Sequence, residues 1–355
     1  MIAPSLDILG GQSIQARRLL DEFAKSTRVE VAFLPVNPRL WRRLGSLQRV
    51  KYVRTIVTSV SYVASLLWRV PRCDLVHAFS ASYYSYLLAP LPALVIAKLM
   101  GRKTLLNYRS GEAPDHLASW PLSRRSIALL ADRVVVPSPY LVDVFRHYNI
   151  EAEAISNFVP LQSLRYSARP KCAPRLLSNR NLEPLYNVAC ILRAFALVQR
   201  SYSGAELVVV GDGSLRGELE AMTSRLGLRN VHFRGRVSSE RMAQLYTDSD
   251  IFVNAPNIDN MPSSIIEAFA CGLPVVTTNA GGIPYIVEHE RTGLMVERND
   301  APALAAAVTR LLADPALALR LATAARAECE SRYAWQHVRD LWESLYERLA
   351  GKTGK

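Results

Sequence analysis

The sequence, 355 residues long, contains no run of the ~18 uninterrupted apolar residues that a membrane-spanning helix requires. Its longest apolar candidate, LLAPLPALVIAKLM at 87–100, holds two prolines and a lysine and reads as a buried helix. Cysteine is sparse. The five residues (Cys73, Cys172, Cys190, Cys271 and Cys329) are odd in number, scattered and never spaced C-x-x-C, which speaks for reduced core thiols rather than a disulfide framework or a metal site. The start, MIAPSLDILGG, has neither the basic leader nor the apolar core of a signal peptide, so a cytoplasmic location is expected. Low complexity is confined to the tail GKTGK, and no short internal repeat is visible.

Half of the residues are hydrophobic, and the length exceeds the roughly 250–300 residues at which single cores stop growing, so two domains are expected. The net charge of +12 lies mostly in the first half: residues 1–165 hold 21 basic against 11 acidic side chains, residues 166–355 hold 22 against 20. Much of the excess sits in RLWRRLGSLQRVKYVRTIVTSVSYVASLLWRVPR (39–72), where arginines interleave with Trp41, Tyr52 and Trp68. Such a face fits an anionic membrane surface, a nucleic acid or plain solvent; no nucleic-acid motif accompanies it, and no nucleic-acid partner is expected.

Short β-branched runs alternate with helical patterns along most of the chain, the mark of parallel sheets built from βαβ units. Strands are expected at 29–35, 73–79, 103–108, 133–138 and 151–156, then, after the proline-bearing SARPKCAP (167–174), at 175–179, 205–211, 230–235, 250–255, 273–278 and 292–297. Two doubly wound halves follow. Only MIA precedes the first glycine turn, too little for a full central strand, and the reading adopted is that the native start lies upstream.

The chemistry concentrates in the second half. VVVGDGSLRGELEAM (208–222) is strand, glycine turn and helix, with Gly211 and Gly213 permitting close backbone approach at the carboxyl end of a strand, where open α/β sheets bind ligands. In NIDNMPSSIIEAFACGLPVVTTNAGGIPYIV (257–287), Pro262 suits the first turn of a helix and Ser263 or Ser264 its cap, with Ile265, Ile266 and Phe269 buried. That helix start attracts a phosphate. Glu267, one turn in, is better placed for hydroxyls beside the phosphate, and a second carboxylate, Asp259, can hold sugar hydroxyls. Gly281-Gly282 and Arg180 each follow a strand, and Arg180 can meet a diphosphate.

With these residues in hand, the chain resembles family 4 of the retaining, nucleotide-sugar-dependent glycosyltransferases. VVVGDGSLRGELE, VHFRGRVSSERMAQLYTDSDIFVNAP, the Asp259 to Glu267 segment with EAFACGLPVVTTNAGGIPYIV, and TGLMVERND carry the likeness, which runs over 4–350 and is most specific from 205 to 300. The resemblance implies a GT-B fold: two Rossmann-like, doubly wound parallel-sheet domains facing a cleft. Residues 1–168 would form the acceptor-side domain, 169–333 the donor-binding domain, and the helix at 334–349 would cross back to the first. It implies that Glu267 holds the ribose and that Asp259 stands where a Glu usually contacts the transferred sugar. Asn260, Met261, Pro262, Ser263 and Ser264 would contact sugar and diphosphate, Val237 would lie near the base, and the loop with Gly10 and Gly11 would approach the donor phosphates. No metal or other cofactor is implied; the nucleoside-diphosphate sugar is a substrate, and a glycan or lipid-linked molecule accepts the sugar.

Three departures from the family pattern stand out. Leu185 and Tyr186 occupy the place of a cationic side chain that usually follows Arg180. Arg109 stands near the usual place of a reaction-centre histidine; a guanidinium cannot act as base but can neutralise a departing diphosphate. Asp259 is a methylene shorter than Glu. The catalytic set expected on this basis is Arg109, Arg180 and Asp259, with Ser110 and Glu112 as substitutes. The function expected is transfer of a hexose-type sugar in surface polysaccharide or glycolipid synthesis, on the inner face of the cytoplasmic membrane if the basic 39–72 region docks there. Competing readings are a catalytically weak GT-B protein that binds a nucleotide sugar or a partner, and a nucleic-acid or membrane binder with a vestigial second domain.

Overall fold

In a computed structural model, the residues described are 1–7, 10–38 and 51–351, with the side chains of 51–55 excepted. Contacts divide the chain into a first unit, Met1–Ile155 with Arg339–Lys355, and a second, Ser156–Val338. The sequence placed the division at 168/169 and set the last helix apart from 334; the contacts divide the chain at 155/156 and group residues from Arg339 onward with the first unit.

The first unit runs β1 (Ile2–Ala3), α1 (Gly11–Phe23), β2 (Leu34–Pro35), α2 (Lys51–Arg69), β3 (Leu75–Ser80), α3 (Tyr84–Leu88), α4 (Pro90–Leu99), β4 (Lys103–Tyr108), α5 (Ala113–Ser119), α6 (Pro121–Leu130), β5 (Arg133–Val136), α7 (Pro139–His147) and β6 (Ala152–Ala154). Its sheet is parallel throughout, in the order β2-β1-β3-β4-β5-β6. Two expectations are corrected. The strand read at 29–35 shrinks to Leu34–Pro35, because its partner β1 offers only Ile2 and Ala3 for pairing; local β-propensity cannot make a ladder longer than its neighbour. The single helix read at 87–100 is two, α3 and α4, broken at Ala89, where Pro90 lacks the N–H that would continue the first.

The second unit runs β7 (Arg175–Asn179), α8 (Val188–Ser201), β8 (Glu206–Val210), α9 (Arg216–Arg225), β9 (Val231–Gly235), α10 (Ser239–Asp248), β10 (Ile251–Val253), α11 (Ser263–Ala270), β11 (Val275–Thr278), β12 (Leu294–Val296), α12 (Ala301–Ala313) and α13 (Pro315–Arg332). Its parallel sheet has the order β12-β11-β10-β7-β8-β9. Alternate residues feed two cores. Leu176, Leu207, Val209, Val253 and Val276 pack with α8 and α12 on one face, while Leu177, Val208, Phe252 and Val275 pack with α10 and α11 on the other. Burial of both faces is why these strands read as continuous apolar runs.

The chain winds β7-β8-β9 to one side and then returns beside β7 to wind β10-β11-β12 to the other. The carboxyl ends of β7 and β10 therefore meet at a switch point, the place where open α/β sheets leave a crevice. The helix α14 (Trp335–Ala350) closes the chain. Within the first unit its Trp342 stacks on His77 at 5.1 Å, its Tyr346 packs on Phe23 at 5.4 Å, and Glu343 accepts from the Arg28 guanidinium at 3.0 Å.

Glycines lock the loops of the second unit. A Cβ at Gly211, which holds φ +125°, would lie 2.1 Å from Arg180 O; one at Gly213 would lie 2.4 Å from Leu182 O, and one at Gly282 2.1 Å from Asn260 O. The close backbone approach expected at the G-x-G turn is thus made by the protein's own 180–182 segment, which also donates from Arg180 N to Val210 O (3.0 Å) and from Leu182 N to Asp212 O (3.1 Å). Gly282→Ala should force the 259–260 loop aside. A loss of stability of about 1–3 kcal/mol, seen as a lower Tm, is expected, and an unchanged Tm would show that the loop yields freely.

Candidate functional site

Four loops of the second unit, following β7, β8, β10 and β11, are tied to one another at the switch point. Gly282 N donates to Asp259 O at 3.1 Å, and Asn257 N donates to Leu185 O at 2.9 Å. Thr278 Oγ1 reaches Pro256 O at 2.7 Å. Asn157 braces the same loop from below, its Nδ2 donating to Met261 O at 2.7 Å and its backbone N–H to Met261 Sδ at 3.2 Å.

Arg180, expected to face a diphosphate, is ion-paired with Asp259, each side chain only 11% exposed. The two are 79 residues apart, and only the β7-β10 adjacency brings them together. Burial pushes the Asp259 carboxyl above its ordinary range, against the opposing pull of Arg180 and of the Asn260 N–H, which donates to Oδ1 at 2.9 Å. Beneath the guanidinium lies the Tyr186 ring, 4.0 Å from Cζ to centroid. At that position, where the sequence suggested only a lost charge, the aromatic face itself attracts a cation.

Helix α11 starts differently from expectation. Pro262 is the N-cap itself, in place of the Ser263 or Ser264 expected there, and makes no side-chain cap hydrogen bond. Proline has no side-chain acceptor, so the first-turn amides receive no side-chain cap from that residue. Ser264 Oγ and Arg180 Nε are buried with no hydrogen-bond partner among the described residues. One turn on, Glu267 is 8% exposed and accepts from Tyr246 Oη at 2.9 Å. Asn179 Nδ2 donates to the same phenol at 3.3 Å, and burial together with the Glu267 carboxylate holds Tyr246 protonated, its pKa well above the ordinary value. Val237 follows the left-handed Gly235 (φ +62°), is half-buried, and directly precedes Ser238, whose Oγ caps α10.

In the second unit, then, the structure gathers Arg180, Gly211, Gly213, Asp259, Asn260, Met261, Pro262, Ser263, Ser264 and Glu267 around the ends of neighbouring strands. Val237, after β9, is not among them, and Gly10, Gly11 and Arg109 belong to the first unit. Gly10 is the extended N-cap of α1 (φ −175°), and a Cβ at Gly10 or Gly11 would meet nothing, so these glycines are not required by the fold. Gln12 Nε2 ties this helix start to Ser80 O at the end of β3, at 3.2 Å.

Arg109 follows β4. Its Nη1 donates to Asn107 Oδ1 at 3.1 Å and its Cζ lies 5.4 Å from the centroid of Phe79. Burial pushes its pKa down to about 9, which leaves it charged at neutral pH, and among the described residues it has no ion-pair partner. Ser110 Oγ accepts from Glu112 N at 3.2 Å and thereby shapes the loop. Among the described residues, no group of three or more His, Cys, Asp or Glu side chains is placed to hold a metal ion. Tyr246, Asn179 and Asn157 went unnoticed in the sequence, and Tyr186 was noted there only as the absence of a cation. Tyr246 alone had a local signal, its place beside Leu245 on the buried stripe of α10.

Residues 165–328 match the family of glycosyl transferases group 1. Glycogen synthase of Mycobacterium tuberculosis is 29% identical over 300 residues, which cover 80% of this chain and 70% of that protein. Among solved structures, HepE of Anabaena in complex with UDP-glucose aligns with TM-score 0.73 at 19% identity, covering 93% of this chain and 88% of its own. Sucrose-phosphate synthase of Thermosynechococcus elongatus aligns with TM-score 0.74 at 20% identity, covering 97% and 94%. The architecture is GT-B, and the match to glycosyl transferases group 1 covers residues 165–328, a little under half of the chain.

Proposed function

We propose that this GT-B glycosyltransferase moves a hexose-type sugar, with retention and without a metal, from a nucleoside-diphosphate sugar to a hydroxyl of a glycan or lipid-linked acceptor, in surface polysaccharide or glycolipid synthesis. The observation that carries the reading is the cluster at the β7/β10 switch point: a guanidinium–carboxylate pair, a helix start without a side-chain cap, and a buried carboxylate one turn further in. Glu267 accepts two ribose hydroxyls. Asp259 keeps lone pairs beyond those used by Arg180 and Asn260 and accepts hydroxyls of the sugar. Arg180 Nε and Ser264 Oγ, buried without partners, are satisfied by diphosphate oxygens.

In this scheme the bond from the sugar's anomeric carbon to the phosphate oxygen breaks and a bond to the acceptor oxygen forms on the same face. The acceptor's proton passes to the departing phosphate. Arg180, Arg109, the α11 start and the Gly10-Gly11 loop stabilise the leaving group, each well-placed donor contributing about 3 kcal/mol. The test is calorimetry with UDP-, GDP- and ADP-linked hexoses, followed by donor hydrolysis without acceptor. Binding of one nucleotide in preference to the others, with slow release of its sugar, is expected; folded protein that binds none would end the proposal. One observation favours a second reading, a protein that binds the donor but turns it over weakly: Arg180 is already neutralised by Asp259. Binding without hydrolysis or transfer would select it.

A lipid-linked acceptor fits a place on the inner face of the cytoplasmic membrane. Ile56, Val60, Leu67 and Trp68, all exposed, recur at helical spacing along α2, and Arg72 lies over the Trp68 ring at 4.5 Å. An apolar stripe rimmed by arginine is suited to an anionic bilayer. The other part of the basic region, residues 39–50, lies outside the described residues. No single described helix is long and apolar enough to cross a membrane. Co-sedimentation with phosphatidylglycerol vesicles at low salt should fall at least fivefold in Trp68→Ala/Arg72→Ala; a wild type that stays in the supernatant would exclude the membrane role.

A further inference from the structure

Four side chains of the first unit, drawn from three separated segments, form one continuous polar chain. Arg109 Nη1 donates to Asn107 Oδ1 at 3.1 Å, Asn107 Nδ2 lies 3.0 Å from His77 Nε2, and His77 Nδ1 lies 2.7 Å from Tyr346 Oη on α14. Asn107 is fully buried, and His77 and Tyr346 nearly so. The imidazole is held between Phe79 and Trp342, each ring centroid 5.1 Å away, and Phe79 is also the ring under Arg109.

The proton positions along this chain follow from elementary chemistry. A guanidinium has donors only, so the amide oxygen of Asn107 must face Arg109 and its NH₂ must face His77. His77 Nε2 therefore accepts. Its pKa is held well below the ordinary value, by burial first and by nearby positive charge second, so the ring is neutral and its single proton is on Nδ1, donated to Tyr346 Oη. That is the less common tautomer of a neutral histidine. Nothing in the packing of an apolar core requires it.

We propose that Asn107, His77 and Tyr346 are positioning residues for Arg109: they hold the guanidinium in one place by a relay of hydrogen bonds that ends on the C-terminal helix. The relay deepens the reading of Arg109 as a cation for the departing diphosphate and rests on it. A half-buried cation with no carboxylate partner among the described residues would otherwise swing to solvent. The relay fixes it with a neutral amide, leaving its charge uncompensated for an anion.

Two measurements on the full chain test this. Long-range proton–nitrogen NMR of His77 in the resting protein should show Nδ1–H with a bare Nε2, and Asn107→Asp, which presents an acceptor on both sides, should place a proton on Nε2. A wild type carrying Nε2–H and a bare Nδ1 would overturn the relay whatever the protein's activity. With the preferred nucleotide sugar, Asn107→Ala should lower kcat for donor hydrolysis at least tenfold with KM within twofold, and Asn107→Asp, which holds Arg109 but compensates its charge, should lower kcat at least threefold; a wild-type rate in Asn107→Asp would show that a neutral amide is not what the site requires. Equal kcat in Asn107→Ala and wild type would show that Arg109 needs no such support. If Asn107→Ala fails to fold, the tautomer and the Asn107→Asp rate still decide. Absence of any donor binding would end the functional reading and leave the tautomer prediction standing.

Discussion

Glu267→Ala should weaken donor binding by two to three orders of magnitude while leaving a folded protein. The carboxylate sits one turn into α11, 8% exposed, where it can accept two hydroxyl donors at once. Hydrogen bonds to a charged group contribute about 1.5–3 kcal/mol each, so losing two costs roughly 3–5 kcal/mol of affinity. The substitution also removes the Tyr246 phenol's charged acceptor at 2.9 Å and leaves it only Ser264 O at 3.3 Å, which should lower stability by about 1–2 kcal/mol. Glu267→Gln separates the two effects, because its amide oxygen still accepts from Tyr246 but lacks the charge. Calorimetry with the preferred donor is the check: a Glu267→Gln protein that binds like wild type would remove this carboxylate from the site.

The second large effect is at the Arg180–Asp259 pair. Arg180→Ala should abolish detectable turnover and lower stability by about 3–5 kcal/mol, since it strands a carboxylate that is 11% exposed. Arg180→Ala/Asp259→Ala should recover most of that stability and none of the activity. The pH dependence has a definite sign. Burial holds the Asp259 pKa above its unfolded value, so between those two values the native state binds more protons than the unfolded one, and this group's contribution to stability falls as pH rises. Without Arg180 the carboxyl is pushed higher still. Arg180→Ala should therefore regain Tm relative to wild type as the pH is lowered from 8 to 5. Parallel Tm profiles for the two proteins would mean that Asp259 is solvated and the pair contributes little.

The fold was legible in the sequence where burial made it so. β7, β8, β10 and β11 are covered on both faces, and their apolar runs announced both the strands and the parallel sheet. The glycine turns were equally plain, although what approaches Gly211 and Gly282 is the protein's own backbone. Where pairing rather than composition decides, the reading overreached, as at 29–35, whose ladder ends with a two-residue partner. The site divides in the same way. Residue types at strand ends could be read off one by one, but the partnership of Arg180 with Asp259, of Glu267 with Tyr246, and of Asn107 with His77 depends on which strands become neighbours. No local periodicity carries that information.

The Tyr186 ring under Arg180 has a consequence for how the protein responds to its ionic surroundings. A second cation beside Arg180 would add a Coulomb attraction toward a diphosphate, of the kind that exposed charges lose as the Debye length shrinks from about 10 Å at 0.1 M salt to about 3 Å at 1 M. An aromatic face carries no net charge to be screened, and at 4.0 Å it acts through the quadrupole of the ring on a guanidinium already withdrawn from water. Exchanging the cation for the ring gives up long-range attraction and keeps short-range placement. Donor capture in the second unit should then be slower but nearly indifferent to salt, with discrimination among nucleotides residing in how long the donor stays rather than in how fast it arrives.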